Sequence, residues 1–206
     1  MNRLPATFYQ RQNVISIAKE LLGKLLVTKF HGELTSGRIV ETEAYNGIID
    51  RASHAFNGRR TNRTEVMFGA GGNAYVYLCY GIHYLFNVVT NDHGTPHAIL
   101  IRGIEPIDGI EIMLERMRKT KFDHTVGRGP GNVSKALGIQ TKHTGYSLLS
   151  DEIFIAADDF VLKKSQIVAS PRIGVDYAGE DAKLHYRFYM RGNPFVSGKK
   201  DQNLQD

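Results

Sequence analysis

Tyr75-Val76-Tyr77-Leu78-Cys79-Tyr80-Gly81-Ile82-His83-Tyr84 is the stretch on which the reading of the fold turns. Branched and aromatic residues run up to a single glycine and resume after it. That spacing predicts a β-hairpin with strands over 74–80 and 83–90 and a tight turn at Gly81. Strand alternation puts Tyr75 and Tyr77 on one face and Tyr80, at the tip, on the opposite one. Ordinary strand packing accounts for tyrosines in such a place, since tyrosine is a good strand former. Two further uses are open: a tyrosine face can stack a planar base, and an exposed tip tyrosine can wedge between base pairs and fill the space of an extruded nucleotide.

Upstream, Asn13 can cap a helix whose apolar residues Val14, Ala18, Leu21 and Leu22 recur at three- and four-residue spacing, with Gly23 to end it. Strand-like runs follow at 24–30 and 38–45, with turns expected around Gly32 and Gly37. Residues 46–73 turn polar and basic, with Arg59, Arg60 and Arg63 close together, and read as a long surface excursion. Within it, the glycines of 69–72 lack the Lys-Ser/Thr of a phosphate loop and read as a flexible connection.

Downstream, 98–104 reads as a strand and Asp108 as the cap of a helix through Lys119, with Ile110, Leu114 and Met117 as its stripe. A shorter helix near Asn132 ends at Gly138, and the Gly127–Gly131 segment before it, with Arg128 and Lys135, is placed to meet a phosphate. Short strands are expected at 153–157 and 187–190, and a loose tail from about 199. Strands and helices do not alternate regularly. The fold class is therefore α+β: one domain over 1–206, with a curved antiparallel or mixed sheet, flanking helices and a protruding hairpin.

Composition narrows the classes. At 206 residues the chain can bury a sizeable core, and 42% hydrophobic against 23% charged residues excludes a largely disordered chain. The net charge of +5 attracts polyanions and only weakly favours nucleic acid. Cys79 is the single cysteine, which excludes an internal disulfide or multi-cysteine zinc cluster, fits a reducing cytoplasm and reads as a small packed hydrophobe. There is no signal-like start and no stretch approaching a membrane span, so no membrane role is expected. His93 and His97 have helical zinc spacing, but Gly94 and Pro96 speak against a helix, and no metal site is expected.

The chemistry concentrates in residues 39–45, Ile39-Val40-Glu41-Thr42-Glu43-Ala44-Tyr45, where alternation puts Glu41, Glu43 and Tyr45 on one face. Two carboxylates sharing a surface repel one another, which is how a general base is tuned; a solvated strand face is the plain alternative. His54 follows a short loop later and by itself decides nothing.

With these residues in order, the chain closely resembles the alkyladenine (3-methyladenine) DNA glycosylase family, in its compact bacterial form. The matching motifs are IVETEAY at 39–45, SHAF at 53–56, RTNR at 60–63, YVYLCYGIHYLFN at 75–87, RGIEP at 102–106, GPGNVSKALGI at 129–139, RIGVDYAGE at 172–180 and RFYMRGNPFVS at 187–197. The resemblance implies a base-excision enzyme with neither metal nor organic cofactor, acting as a cytoplasmic, nucleoid-associated monomer on double-stranded DNA with damaged purines. It implies Glu43 as the water-activating carboxylate, and Arg102 and the backbone carbonyl of Ile173 as groups that hold the water. It further implies Tyr45, His54 and Tyr77 around the flipped base, Asn87 disfavouring normal guanine, and Tyr80 as the wedge. Arg59, Arg60, Arg63, Arg128 and Lys135 are the candidate phosphate contacts. Two rivals remain at this point: a non-catalytic module that senses distorted DNA, and a small-molecule glycosidase using Glu41 and Glu43.

Overall fold

A computed structural model describes residues 1–198, so the tail expected to be loose lies outside the described residues. In chain order the elements are β1 (Asn2–Arg3), α1 (Ala6–Tyr9), α2 (Val14–Leu21), β2 (Leu25–Phe30), β3 (Glu33–Tyr45), β4 (Ala74–Cys79), β5 (His83–Thr90), β6 (His97–Asp108), α3 (Ile110–Met117), α4 (Pro130–Ala136), β7 (Ile153–Ala157), β8 (Ile167–Ser170) and β9 (Arg187–Met190). The strands form one open sheet in the order β1-β7-β2-β3-β6-β5-β4, with β9 pairing β3 and β8 pairing β9. Every described strand pair is antiparallel. The architecture is α+β, as the irregular element order predicts.

The long strands β3 and β6 form the spine, because their residues Ile39, Val40, Ala44, Ile99, Ile101 and Ile104 are buried in one apolar core with the inner faces of the helices. Helix α2 begins where Asn13 accepts the Ser16 N–H at 3.0 Å, and it buries Val14, Ile17, Ala18 and Leu21. The Thr42 hydroxyl donates to the Ala18 carbonyl at 3.0 Å, tying that helix to β3. Near the middle of β3 the register with β6 shifts on both sides of Glu41, opposite Gly103. Such bulges re-aim side chains locally, and here Glu41, Glu43 and Arg102 are brought together.

Four local expectations are corrected. Gly37 lies inside β3, where a Cβ would stand 2.7 Å from Ile104 Cδ1; the turn is made by His31 and Gly32, at φ 52° and 84°. Asp108 does not cap α3: its carboxylate accepts the Ser36 hydroxyl at 2.6 Å, and Gly109, at φ 71°, opens the helix. The 69–72 segment is a packed connection, with Gly71 donating to the Asn91 carbonyl at 2.8 Å and a Cβ on it meeting the Tyr9 carbonyl oxygen at 2.5 Å. The 46–73 excursion folds back onto the hairpin, with Ala55, Met67 and Phe68 forming a second cluster with Tyr75, Val89 and Ala98. No helix among the described residues is long and apolar enough to cross a membrane.

Candidate active site

The hairpin β4–β5 has the turn that the glycine predicts, with Tyr80 at φ 51° and Gly81 at φ 73°. Tyr80 is 91% exposed. Alternation ends at that left-handed turn, so the ring does not face away from Tyr77: Tyr77, Cys79 and Tyr80 all line the same cavity, of about 160 Å³. Cys79 is thus a half-buried wall residue and not a core hydrophobe.

Tyr45, His54, Tyr77, Asn87, Arg102 and Ile173 all line this cavity, so residues scattered over about two thirds of the chain converge. His54 stands edge-on to Tyr77 with ring centres 4.7 Å apart, and its Nδ1 shares a hydrogen bond of 2.8 Å with the Tyr75 hydroxyl. Burial, and then the charges of Arg63 and Arg59, lower the His54 pKa to about 4, so the ring is neutral at physiological pH. Burial pushes Tyr75 up to about 12 and raises Tyr77 as well, so both phenols keep their protons. The Asn87 side-chain N–H₂ donates to the Tyr75 carbonyl at 3.1 Å and to the Leu85 carbonyl at 3.3 Å, which pins the amide in the wall.

Glu43 lies one layer behind that lining, and its side chain is 0% exposed. Tyr45 donates its hydroxyl to Glu43 Oε2 at 2.9 Å, the Ile173 N–H donates to Oε1 at 2.8 Å, and Arg102 Nη1 stands 3.3 Å from Oε2. Burial, then the Glu43 charge, raise Tyr45 well above the ordinary phenol range, so it is a donor here. All three partners face the cavity, and one of them must move aside before water touches the carboxylate. The contact that Ile173 makes with Glu43 is through its N–H; its carbonyl takes no part in that hydrogen bond.

Glu41 has a different job. Its carboxylate accepts Arg102 Nε at 3.1 Å, Arg187 Nε at 2.6 Å, the Ser197 N–H at 2.7 Å and the Ser197 hydroxyl at 3.0 Å. Guanidinium groups therefore stand where carboxylate repulsion was expected, and Arg102 bridges Glu41 and Glu43. A second buried pair, Arg172 with Asp50 at 2.5 Å, fixes the backbone next to Ile173; the guanidinium also donates to the Ala44 carbonyl and lies 4.9 Å from the Tyr45 ring centre. Tyr177, 71% exposed, lines the mouth of the cavity.

The basic candidates are spread out. Arg59 and Arg63 are exposed and have no ion pair among the described residues, whereas Arg60 pairs with Glu65 at 2.6 Å and covers the Phe68 ring. Arg128 is half-buried and commits its guanidinium to the Pro194 carbonyl. Lys135, on α4, lines a separate cavity. No group of three or more His, Cys, Asp or Glu among the described residues is arranged to hold a metal, and His97 Nδ1 is 3.1 Å from the Asn91 amide nitrogen.

A hidden carboxylate bound to an arginine thus stands behind an aromatic cavity with a tyrosine at its lip. The chain belongs to the methylpurine-DNA glycosylase family, whose profile matches residues 7–194. It is therefore a DNA glycosylase by class, which sets aside the non-catalytic module and the small-molecule glycosidase. Among its relatives is a protein of Bacillus cereus strain G9842, named "Putative 3-methyladenine DNA glycosylase", 48% identical over 95% of this chain and 98% of that one. A protein of the same name from Bacillus thuringiensis strain Al Hakam is 47% identical over the same shares.

Proposed function

We propose that the whole chain works as one monomeric, cytoplasmic and nucleoid-associated domain. It flips alkylated or deaminated purines (3-methyladenine, 7-methylguanine, hypoxanthine and ethenoadenine) out of duplex DNA and hydrolyses their N-glycosidic bonds, without metal or organic cofactor. The observation that carries the reading is Glu43, held by Tyr45, Arg102 and Ile173 directly behind the aromatic cavity.

Extruding a base costs a few kcal/mol of pairing and stacking, so a weakened lesion pair flips more cheaply than a sound one. Stacking returns about 1–3 kcal/mol per base, and a cationic alkylated purine gains further against tyrosine faces. Tyr80 occupies the vacated space in the duplex, while Tyr45, His54 and Tyr77 enclose the base. Asn87, pinned to the strand backbone, crowds the amino group of normal guanine. Loss of the base builds oxocarbenium character on the sugar. An ionised Glu43 stabilises that charge and accepts a proton from the attacking water. Entry of the base displaces the Tyr45 hydroxyl or the Ile173 N–H from the carboxylate, which admits the water that Arg102 and the Ile173 carbonyl then hold. No lysine serves as nucleophile, so the product is an abasic site with an intact strand.

The test is release of free base from duplexes with one defined lesion each. Glu43→Gln keeps the shape and loses the base, so it retains lesion binding while excision falls by at least about 100-fold. Turnover at the wild-type rate by this variant defeats the proposal.

A further inference from the structure

A second cavity, of about 580 Å³, lies on the other side of the hairpin from the base pocket. Along β5, Leu85 and Asn87 face the base pocket while Tyr84 lines the second cavity, together with Ile82 and His83 at the turn. Its far wall carries Arg116, Lys135 and Lys142. The one carboxylate on that wall, Glu33, is paired with Arg116 at 2.9 Å. Lys135 and Lys142 have no ion pair among the described residues. Ser134, also in the wall, is fully buried and its hydroxyl has no hydrogen-bond partner among the described residues. The wall is locked to the hairpin, because Gly131 approaches His83 so closely that a Cβ would stand 2.8 Å from its Nδ1. The α4 backbone that carries Lys135 is therefore held against the hairpin.

An element inserted into the minor groove, which is about 6 Å wide, has one phosphate backbone on each flank. The flank with the base pocket receives the strand whose nucleotide is flipped. We propose that the second cavity holds the phosphodiester backbone of the intact strand, through Lys135 and Lys142, so that the hairpin is clamped across both strands. This rests on the insertion of Tyr80 described under the proposed function. It adds Lys142 to the contacts and assigns Lys135 to a strand. Phosphate contacts of this kind set register without reading sequence.

The experiment measures binding to a duplex with one tetrahydrofuran abasic analogue, with methylphosphonates replacing phosphates either on the intact strand opposite the analogue or on the analogue strand. Wild-type affinity falls about tenfold with neutral intact-strand phosphates, whereas the Lys135→Ala/Lys142→Ala double variant is already weakened and falls little further. The same variant lowers the slope of log K against log salt by about two, near one per lysine. Coupling of the lysines to the analogue strand overturns the strand assignment, and wild-type affinity in the double variant overturns the site. Base release by the wild-type protein is measured separately; its absence refutes the role of Glu43 and leaves the strand result standing.

Discussion

Replacing Glu41 with glutamine removes the centre of the buried charge network. The Arg102 and Arg187 side chains that contact it are only 9% and 6% exposed. After Glu41→Gln both depend on Glu43, which reaches only Arg102. The amide also faces donors at either end: two guanidinium Nε groups and the Ser197 hydroxyl at one oxygen, and the Ser197 N–H at the other. Whichever way it is turned, its N–H₂ opposes another donor. Removing one partner of a buried ion pair costs about 3–5 kcal/mol, since the remaining charge stays desolvated. At about 2–4 °C per kcal/mol for a chain of this size, Tm falls by about 6–20 °C. Scanning calorimetry at pH 7 measures this, with circular dichroism to establish that the fold is kept. A fall of less than about 3 °C refutes the reasoning, for it means that the guanidiniums are solvated in some other way. Glu43→Gln provides the contrast: Arg102 keeps Glu41, so Tm moves far less while excision is lost.

Three further outcomes follow from the geometry. His54 has a folded pKa of about 4, below the 6.5 of the unfolded chain, so its share of stability is intact above pH 6.5 and is lost as pH falls toward 4, at up to about 1.4 kcal/mol per pH unit. In His54→Gln the fall of Tm over that window is shallower, and an unchanged slope counts against the assignment. Tyr80→Gly relieves a bulky side chain at φ 51°, so Tm rises by about 2–4 °C while retention on lesion duplex weakens; tighter binding disproves the wedge. Asp50→Asn leaves Arg172 buried against a neutral amide and destabilises by about 3 kcal/mol, read as a lower midpoint in urea; a midpoint equal to wild type contradicts it.

The hairpin was legible because Gly81 interrupts a period-two pattern, and helix α2 because Asn13 and Gly23 bracket a period near 3.6. The shared orientation of Glu41 and Glu43 followed from the same alternation and survives the bulge beside Glu41, as their common contact with Arg102 shows. What alternation cannot supply is the identity of partners distant in sequence. Arg172, Arg187 and Ser197 all stand in motifs quoted for the family resemblance, yet no local pattern says that they meet Asp50 or Glu41. Nor does it say that Tyr45 and Ile173 cover Glu43. The misreadings at Gly37 and Asp108 share a cause: glycine is there for want of room beside Ile104, and the aspartate serves Ser36 across the sheet. Turn and capping preferences see neither.

Ser197 reaches Glu41 across 156 positions, about three quarters of the polypeptide. Glu41 therefore gains its full set of contacts only once the segment carrying Ser197 has been made. Removing Ser197 would take away two of the four contacts on the Glu41 carboxylate and leave it to Arg102 and Arg187 alone.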